Sequence, residues 1–396
     1  MNVSSGPRAP TREECIERAR RLAPALAERA ERTEARRGLT DETIADLVGS
    51  GLIRALLPRH HGGFELDFDL ILSVCLELGR ACAATAWVGS FYMVHAWVVG
   101  LFPRAAQAEV WARDPDTLIA TRISFHGSNA VRVSDGLLLS GRWPQTSGVD
   151  HAEWIALCST EALAHGDEYL FCLVPRRDLR IDDTWYASGL RGSGSHTVVT
   201  EGVFVPSHRT IRLRDLLDGT CPGGAAPGAG PLYRLPACGG YMSSLAGPVL
   251  GAAWGALDAC AEASKGVRGG PGSLGPAHQV SIAEAAAELD CATLLLRRGF
   301  QESMATVASG GQMTLLQRAR GRRDGAYAAK ICNRALTRLL DSAPASVLYE
   351  SSPVQRAWRD IRMMSAHPAL SSDTAGELWT RVSYDLALPD SAAHGI

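Results

Sequence analysis

No two cysteines of this 396-residue chain are spaced C-x-x-C, and its ten cysteines are scattered. That pattern argues against a disulfide framework and fits buried, reduced thiols in a cytoplasmic protein. No basic run is present, and the formal net charge is -2 at pH 7, so neither nucleic acid nor an anionic membrane is expected as the main partner. The first residues, MNVSSGPRAPTREEC, contain no apolar core of the kind a secretory signal needs. The longest apolar run, around 83–102, is broken by Ser90, Tyr92 and His95, which favours a buried helix over a membrane span. H-E-x-x-H and Walker-type glycine loops are missing, and His60-His61 have no ligand cluster beside them. Gly239-Gly240 and Gly269-Gly270 lack the strand–turn–helix setting of a dinucleotide site, so reducing equivalents must come from elsewhere.

What is present is a globular chain, 46% hydrophobic, long enough for two or three domains. Residues 11–37 are rich in Ala, Glu, Arg and Leu, with Leu22, Ala25, Leu26 and Ala30 at helical spacing. Pro24 lies inside that stretch as a kink or as the true start. Thr40 opens T-D-E-T before a helix at 41–50, and Gly51 ends it. Helices are also expected at 68–82 and 85–102. After Asp114 the texture becomes extended: 117–124, a hairpin at 130–141 turning at Asp135-Gly136, then 154–158, 169–174, 179–184 and 198–205. Residues 218–236 are dense in Gly and Pro and read as a loop or linker. Helical pattern returns at 279–296, 318–340 and 354–365. The expected fold is therefore mainly α with a central β domain: helical at 1–114, β at 115–215, a linker at 216–239 and a helical bundle at 240–396.

Four stretches carry a family resemblance: GLIRALLPRHHGG at 51–63, GRWPQTSGVDHAEW at 141–154, WYASGLRGSGSHTVVTEGVFVPSHR at 185–209, and RAWRDIRMMSAHPALSSDT at 356–374. In this order they resemble the acyl-CoA dehydrogenase fold. More narrowly, they are similar to the flavin-dependent monooxygenases built on it, the oxygenase half of two-component phenol hydroxylases. The resemblance implies a middle β-barrel-like domain, a C-terminal four-helix bundle and a homotetramer. It also implies reduced FAD or FMN from a separate flavin reductase, dioxygen, and a C4a-hydroperoxyflavin that oxidises a small molecule in a biosynthetic setting. The last stretch looks like the region where acyl-CoA dehydrogenases carry their catalytic glutamate, yet no carboxylate occurs between Asp360 and Asp373. His367 stands there instead.

Resemblance assigns roles to several side chains. A hydroxyl of Thr146 or Ser147 lies near flavin N5, and His367 hydrogen-bonds the peroxide; a capped turn and a structural histidine are the plain alternatives. His95, in V-H-A-W, reaches the substrate and holds a phenolate, against the alternative of a core histidine. Tyr92 and Trp97 line the same pocket or are simply core. Arg191 with Ser193-Gly194-Ser195 suits a phosphate or the flavin edge, or else forms a tight turn. Arg122, Ser124 and Phe125 are further candidates to line the flavin. Asp150 and His151 are expected to pair structurally, and His196 to be solvated. Other functions to weigh are an N-oxygenase acting on an amine such as an amino sugar, a true acyl-CoA dehydrogenase, and a non-catalytic scaffold. The missing carboxylate opposes the dehydrogenase, because proton abstraction beside a thioester needs a strong positioned base.

Overall fold

A computed structural model describes residues 8–124, 127–164, 166–265, 275–343 and 345–388 of the chain. Its first block is helical. Helix α1 (Arg12–Arg36) starts at a capping box in which Thr11 and Glu14 satisfy each other's backbone donors. Pro24 lies inside α1, and the helix continues through it. Helix α2 (Asp41–Gly49) is capped by Thr40, and α3 (Phe68–Ala81) by Asp67. Helix α4 (Ala83–Gly100) is buried at every residue except Phe91, which explains an apolar run with no amphipathic stripe. No helix among the described residues is long and apolar enough to cross a membrane. Helix α5 (Arg104–Trp111) completes the block.

The middle of the chain forms two four-stranded sheets. One has the order β1 (Ile119–Arg122), β4 (Trp154–Leu163), β5 (Gly166–Pro175), β8 (Thr210–Arg212). The other has the order β2 (Ser128–Val133), β3 (Gly136–Thr146), β7 (His196–Pro206), β6 (Arg180–Asp182). Strands β2 and β3 pair antiparallel, with Val133 opposite Gly136. Strands β1 and β4 pair in parallel, which local sequence signals do not reveal. The β3–β7 register slips between Trp143 and Thr146, and Gln145 there takes φ +60°. Such a bulge bends the strand and re-aims the residues that follow.

Residues 213–239, which include the Gly/Pro-rich linker expected at 216–239, are partly helical and packed. They include α6 (Leu213–Asp218) and the short α7 (Pro222–Ala225). Leu232, Tyr233 and Leu235 are buried, the Tyr233 hydroxyl donates to Leu56 O at 2.8 Å, and Trp97 Nε1–H donates to Leu232 O at 3.0 Å. The segment is a strap fastened to the helical core, because its apolar side chains gain more from burial than its glycines gain from freedom. Then come α8 (Tyr241–Ser244), α9 (Ala246–Lys265), α10 (Pro276–Ala308), α11 (Leu315–Asp341), α12 (Pro353–Ser365) and α13 (Ser372–Ser383). Helix α10 outruns the expected 279–296 because helix-forming residues continue past Leu296 and Gly299 is tolerated. Helices α3 and α9 cross at glycines: a Cβ on Gly79 would lie 2.8 Å from Gly251 Cα, too close for any side chain. Nine of the ten cysteines are buried, and Cys291 on α10 is exposed.

Candidate active site

The site forms where α4, the end of β3, the loop after β6 and the end of α12 meet. On α4, Trp87, Phe91 and His95 recur every four residues and so share one face. Phe91 stacks on His95 with centroids 5.0 Å apart, and Trp87 packs edge-on to Phe91 at 4.9 Å. Trp87 also meets His367, with ring centroids 6.0 Å apart. The α4 face thus leads from His95 to His367.

The turn after β3 is held from two sides. The Tyr92 hydroxyl donates to Gly148 O at 2.7 Å, and Gly148 N–H donates to Ser193 O at 2.9 Å. Gly148 has φ +69°, and a Cβ there would lie 2.8 Å from Val88 Cγ1, so only glycine fits. Trp87 Nε1–H donates to Ser147 Oγ at 3.2 Å; Ser147 and Ser195 hydroxyls lie 2.7 Å apart, as do those of Ser195 and Ser193. The Thr146 hydroxyl is fully buried and donates back to Trp143 O at 3.1 Å. Of the two adjacent hydroxyls, Ser147 is the one joined to the Trp87–Ser195–Ser193 network.

His367 lies just beyond α12, after the capping Ala366. Its Nδ1 accepts from Ala369 N–H at 3.2 Å and caps the turn Pro368–Leu370. In the neutral ring the proton therefore sits on Nε2, which has no protein partner among the described residues. Burial, with the Arg122 and Arg322 guanidiniums nearby, lowers the pKa to about 4. At neutral pH His367 is thus a hydrogen-bond donor with a fixed tautomer. Arg122, at the end of β1, donates to Gln145 Oε1 at 3.3 Å, while its Nε is buried with no partner among the described residues. Its charge is disfavoured by burial. An unmet donor beside a neutral imidazole is what an anionic, hydrogen-bond-accepting cofactor would complete, so these residues fit a reduced flavin.

Helix α12 also braces the loop. The Leu190 backbone N–H donates to Asp360 Oδ1 at 2.5 Å, and Arg359 Nη1 donates to Ser188 O at 3.0 Å. Leu190 takes φ +53° there. Arg191 lines a cavity of about 50 Å³ with Glu34, Arg356 and Asp360, and its Nε is buried without a partner among the described residues.

The remaining expected residues fall as follows. His95 is buried with both ring nitrogens hydrogen-bonded, Nδ1 to Ile119 O and Nε2 to Thr121 Oγ1, each at 2.9 Å. Trp97 is wholly buried between Phe68 and Tyr241. Ser124 is partly accessible, two residues beyond Arg122, and Phe125 lies outside the described residues. Two expectations are corrected. His151 does not pair with Asp150: its Nε2 reaches Leu39 O at 3.2 Å, because the turn points it at the α1–α2 connection. His196 is not solvated: it is 8% exposed on β7, with Nδ1 accepting from Thr184 N–H at 3.3 Å and Asp150 and Asp183 alongside. Trp87, Thr121 and Tyr241 were not singled out by sequence. The four-residue repeat on α4 would have found Trp87; nothing local marks Thr121 or Tyr241. No group of three potential metal ligands occurs among the described residues.

Comparison with known proteins bears on the fold and the family. Residues 243–372 match the family model for the acyl-CoA dehydrogenase C-terminal domain. The oxygenase subunit HsaA, a flavin-dependent monooxygenase of Rhodococcus jostii (strain RHA1), is 34% identical over 93% of this chain and 98% of its own length. The oxygenase component of an FADH(2)-dependent resorcinol hydroxylase from Rhizobium sp. (strain MTP-10005) is 34% identical over 88% of each chain. The crystal structure of 3-HSA hydroxylase from Rhodococcus sp. RHA1 superposes with a TM-score of 0.91 at 33% identity, over 96% of this chain and 98% of that one. XiaF from Streptomyces sp., in complex with FADH2 and glycerol, gives 0.87 at 28% identity, over 96% and 97%. With the fold and these relatives in agreement, the chain belongs to the flavin-dependent monooxygenase oxygenase subunits built on the acyl-CoA dehydrogenase fold.

Proposed function

We propose that this protein is the oxygenase component of a two-component system that hydroxylates an electron-rich aromatic small molecule with dioxygen and reduced FAD or FMN. The observation that carries the reading is His367: a neutral imidazole with a free Nε2–H beside the unmet donor of Arg122, in a stretch without a carboxylate. The reduced flavin, when bound, supplies the activation of dioxygen. The chain supplies the surroundings. Ser147 offers its hydroxyl to the flavin edge, held there by Trp87 and Ser195. Arg122 lends positive charge to an anionic ring, and His367 donates a hydrogen bond through Nε2. Phe91 and Trp87 form an apolar wall that keeps water back. A flavin reductase is the functional partner, because the chain carries no nicotinamide motif. We also propose a homotetramer assembled through the C-terminal bundles, and a cytoplasmic location suited to buried thiols.

The test has two arms. Anaerobic titration with reduced FMN and reduced FAD should saturate, and absence of binding by both would sink the reading. With a reductase, NADH, flavin and ¹⁸O₂, a screen of phenols by mass spectrometry should find a product carrying one ¹⁸O atom. Omitting the reductase should abolish that product.

A further inference from the structure

The hydrogen bonds around His95 have a direction that propagates outward. Its Nδ1 lies against the Ile119 carbonyl, and a carbonyl oxygen only accepts, so Nδ1 carries the proton. Burial lowers the His95 pKa to about 3, so the ring is neutral and Nε2 is a bare acceptor. Thr121 has one hydroxyl proton and must donate it to Nε2, 2.9 Å away. The Tyr241 hydroxyl, 3.0 Å from Thr121 Oγ1, is then the donor of that contact. Its proton is committed inward, and its oxygen accepts from no donor among the described residues.

Tyr241 lies beside the site, its ring centroid 6.2 Å from that of His95. Its phenol and the Arg122 guanidinium each shift the other's ionisation, and Arg122 in turn acts on His367. The helix α8 that bears Tyr241 packs on the turn that follows His367. We infer that Tyr241 contacts the substrate as a hydrogen-bond acceptor, selecting a ligand that presents an O–H group, and that Thr121 and His95 are positioning residues that fix this polarity. The inference rests on the aromatic-hydroxylase reading above. A phenol whose O–H is drawn toward Tyr241 gains electron density on its ring, which suits attack by an electrophilic oxygen. A methyl ether of the same ring offers no proton and leaves the Tyr241 oxygen unmet.

Phenol and anisole serve as probes, titrated calorimetrically and anaerobically into the protein saturated with reduced FMN. The parent protein should bind phenol about five-fold more tightly than anisole, the worth of one neutral hydrogen bond. Tyr241→Phe should bring the two within about two-fold. Thr121→Val removes the acceptor for the tyrosine proton and leaves the ring in place, so Tyr241 can donate and the preference should vanish or turn toward anisole. Thr121→Ser should restore it, an outcome that a merely structural role for Thr121 would not produce. If Tyr241→Phe fails to fold, the two Thr121 variants decide the matter. Equal binding of the probes by the parent, a preference that survives Tyr241→Phe or Thr121→Val, or no binding of either probe would each overturn the inference. Saturation with reduced FMN in the same parent preparation keeps the two levels apart. Intact flavin binding with no discrimination removes only the role of Tyr241, whereas loss of flavin binding removes the reading beneath it.

Discussion

His95 and His367 look alike in sequence, each a lone imidazole in an apolar setting, yet the structure gives them opposite access. His95 has no nitrogen left to offer, while His367 uses Nδ1 as a cap and keeps an Nε2–H unpartnered among the described residues. Because burial and two guanidiniums oppose the imidazolium, His367 is neutral above its pKa of about 4. The rate of any step that uses its Nε2–H should be flat between roughly pH 6 and 9 and change only as the pH falls toward the lowered pKa; a titration near 6.5 that disappears in His367→Ala would contradict this. His367→Ala should lower product formed per flavin oxidised by about ten-fold or more. It also deletes a turn cap, at a cost of about 1 kcal/mol. His367→Asn keeps that cap, so poor coupling in a protein of parental melting temperature separates chemistry from stability. Ser147→Ala should weaken reduced-flavin binding by about three- to ten-fold, read from the anaerobic titration.

At the scale of the element, α12 ties two halves of the site together. It ends two residues before His367, and through Arg359 and Asp360 it grips the loop that carries Ser193 and Ser195. Burial lifts the Asp360 carboxyl from 3.8 to about 7. The folded protein therefore holds this proton more tightly than the unfolded chain does. The associated stability is complete below pH 3.8 and is lost as the pH rises through about 7. Asp360→Asn cannot ionise and still accepts from Leu190 N–H. Its melting temperature should exceed the parent's at pH 8, with the gap closing toward pH 5; the difference is a few kcal/mol at most, since each tenfold change in proton affinity is worth roughly 1.4 kcal/mol. Elements were largely legible from sequence because caps and periodicity are local: Thr40, Asp67 and the Asp135-Gly136 turn all work where they stand. The bulge at Gln145, the parallel β1–β4 pairing and the burial of Leu232, Tyr233 and Leu235 depend on partners distant in the chain. Site residues follow the same division. Ser147 and His367 sit in motifs, whereas Tyr241 and Thr121 meet across 120 positions and leave no local mark.

At the scale of the molecule, the sequence order of helices, strands and helices corresponds to a helical block, two sheets and a bundle that exposes several large apolar side chains. Val280, Leu294, Leu315, Leu316 and Tyr327 on α10 and α11 are exposed, Leu294 to 68%. Large apolar side chains left in water favour association, in line with the proposed tetramer. Sedimentation should give a species of about four chains, and Leu294→Glu should shift it to smaller ones. The distribution of thiols adds a consequence. Burial raises the pKa of residues such as Cys75, Cys158 and Cys332, which leaves them inert, while Cys291 lies exposed on the same helix as Leu294. Titration with a chromogenic disulfide reagent would thus gauge subunit packing: fast release of one equivalent per chain from separated subunits, and slow release once neighbouring bundles cover that sulfur.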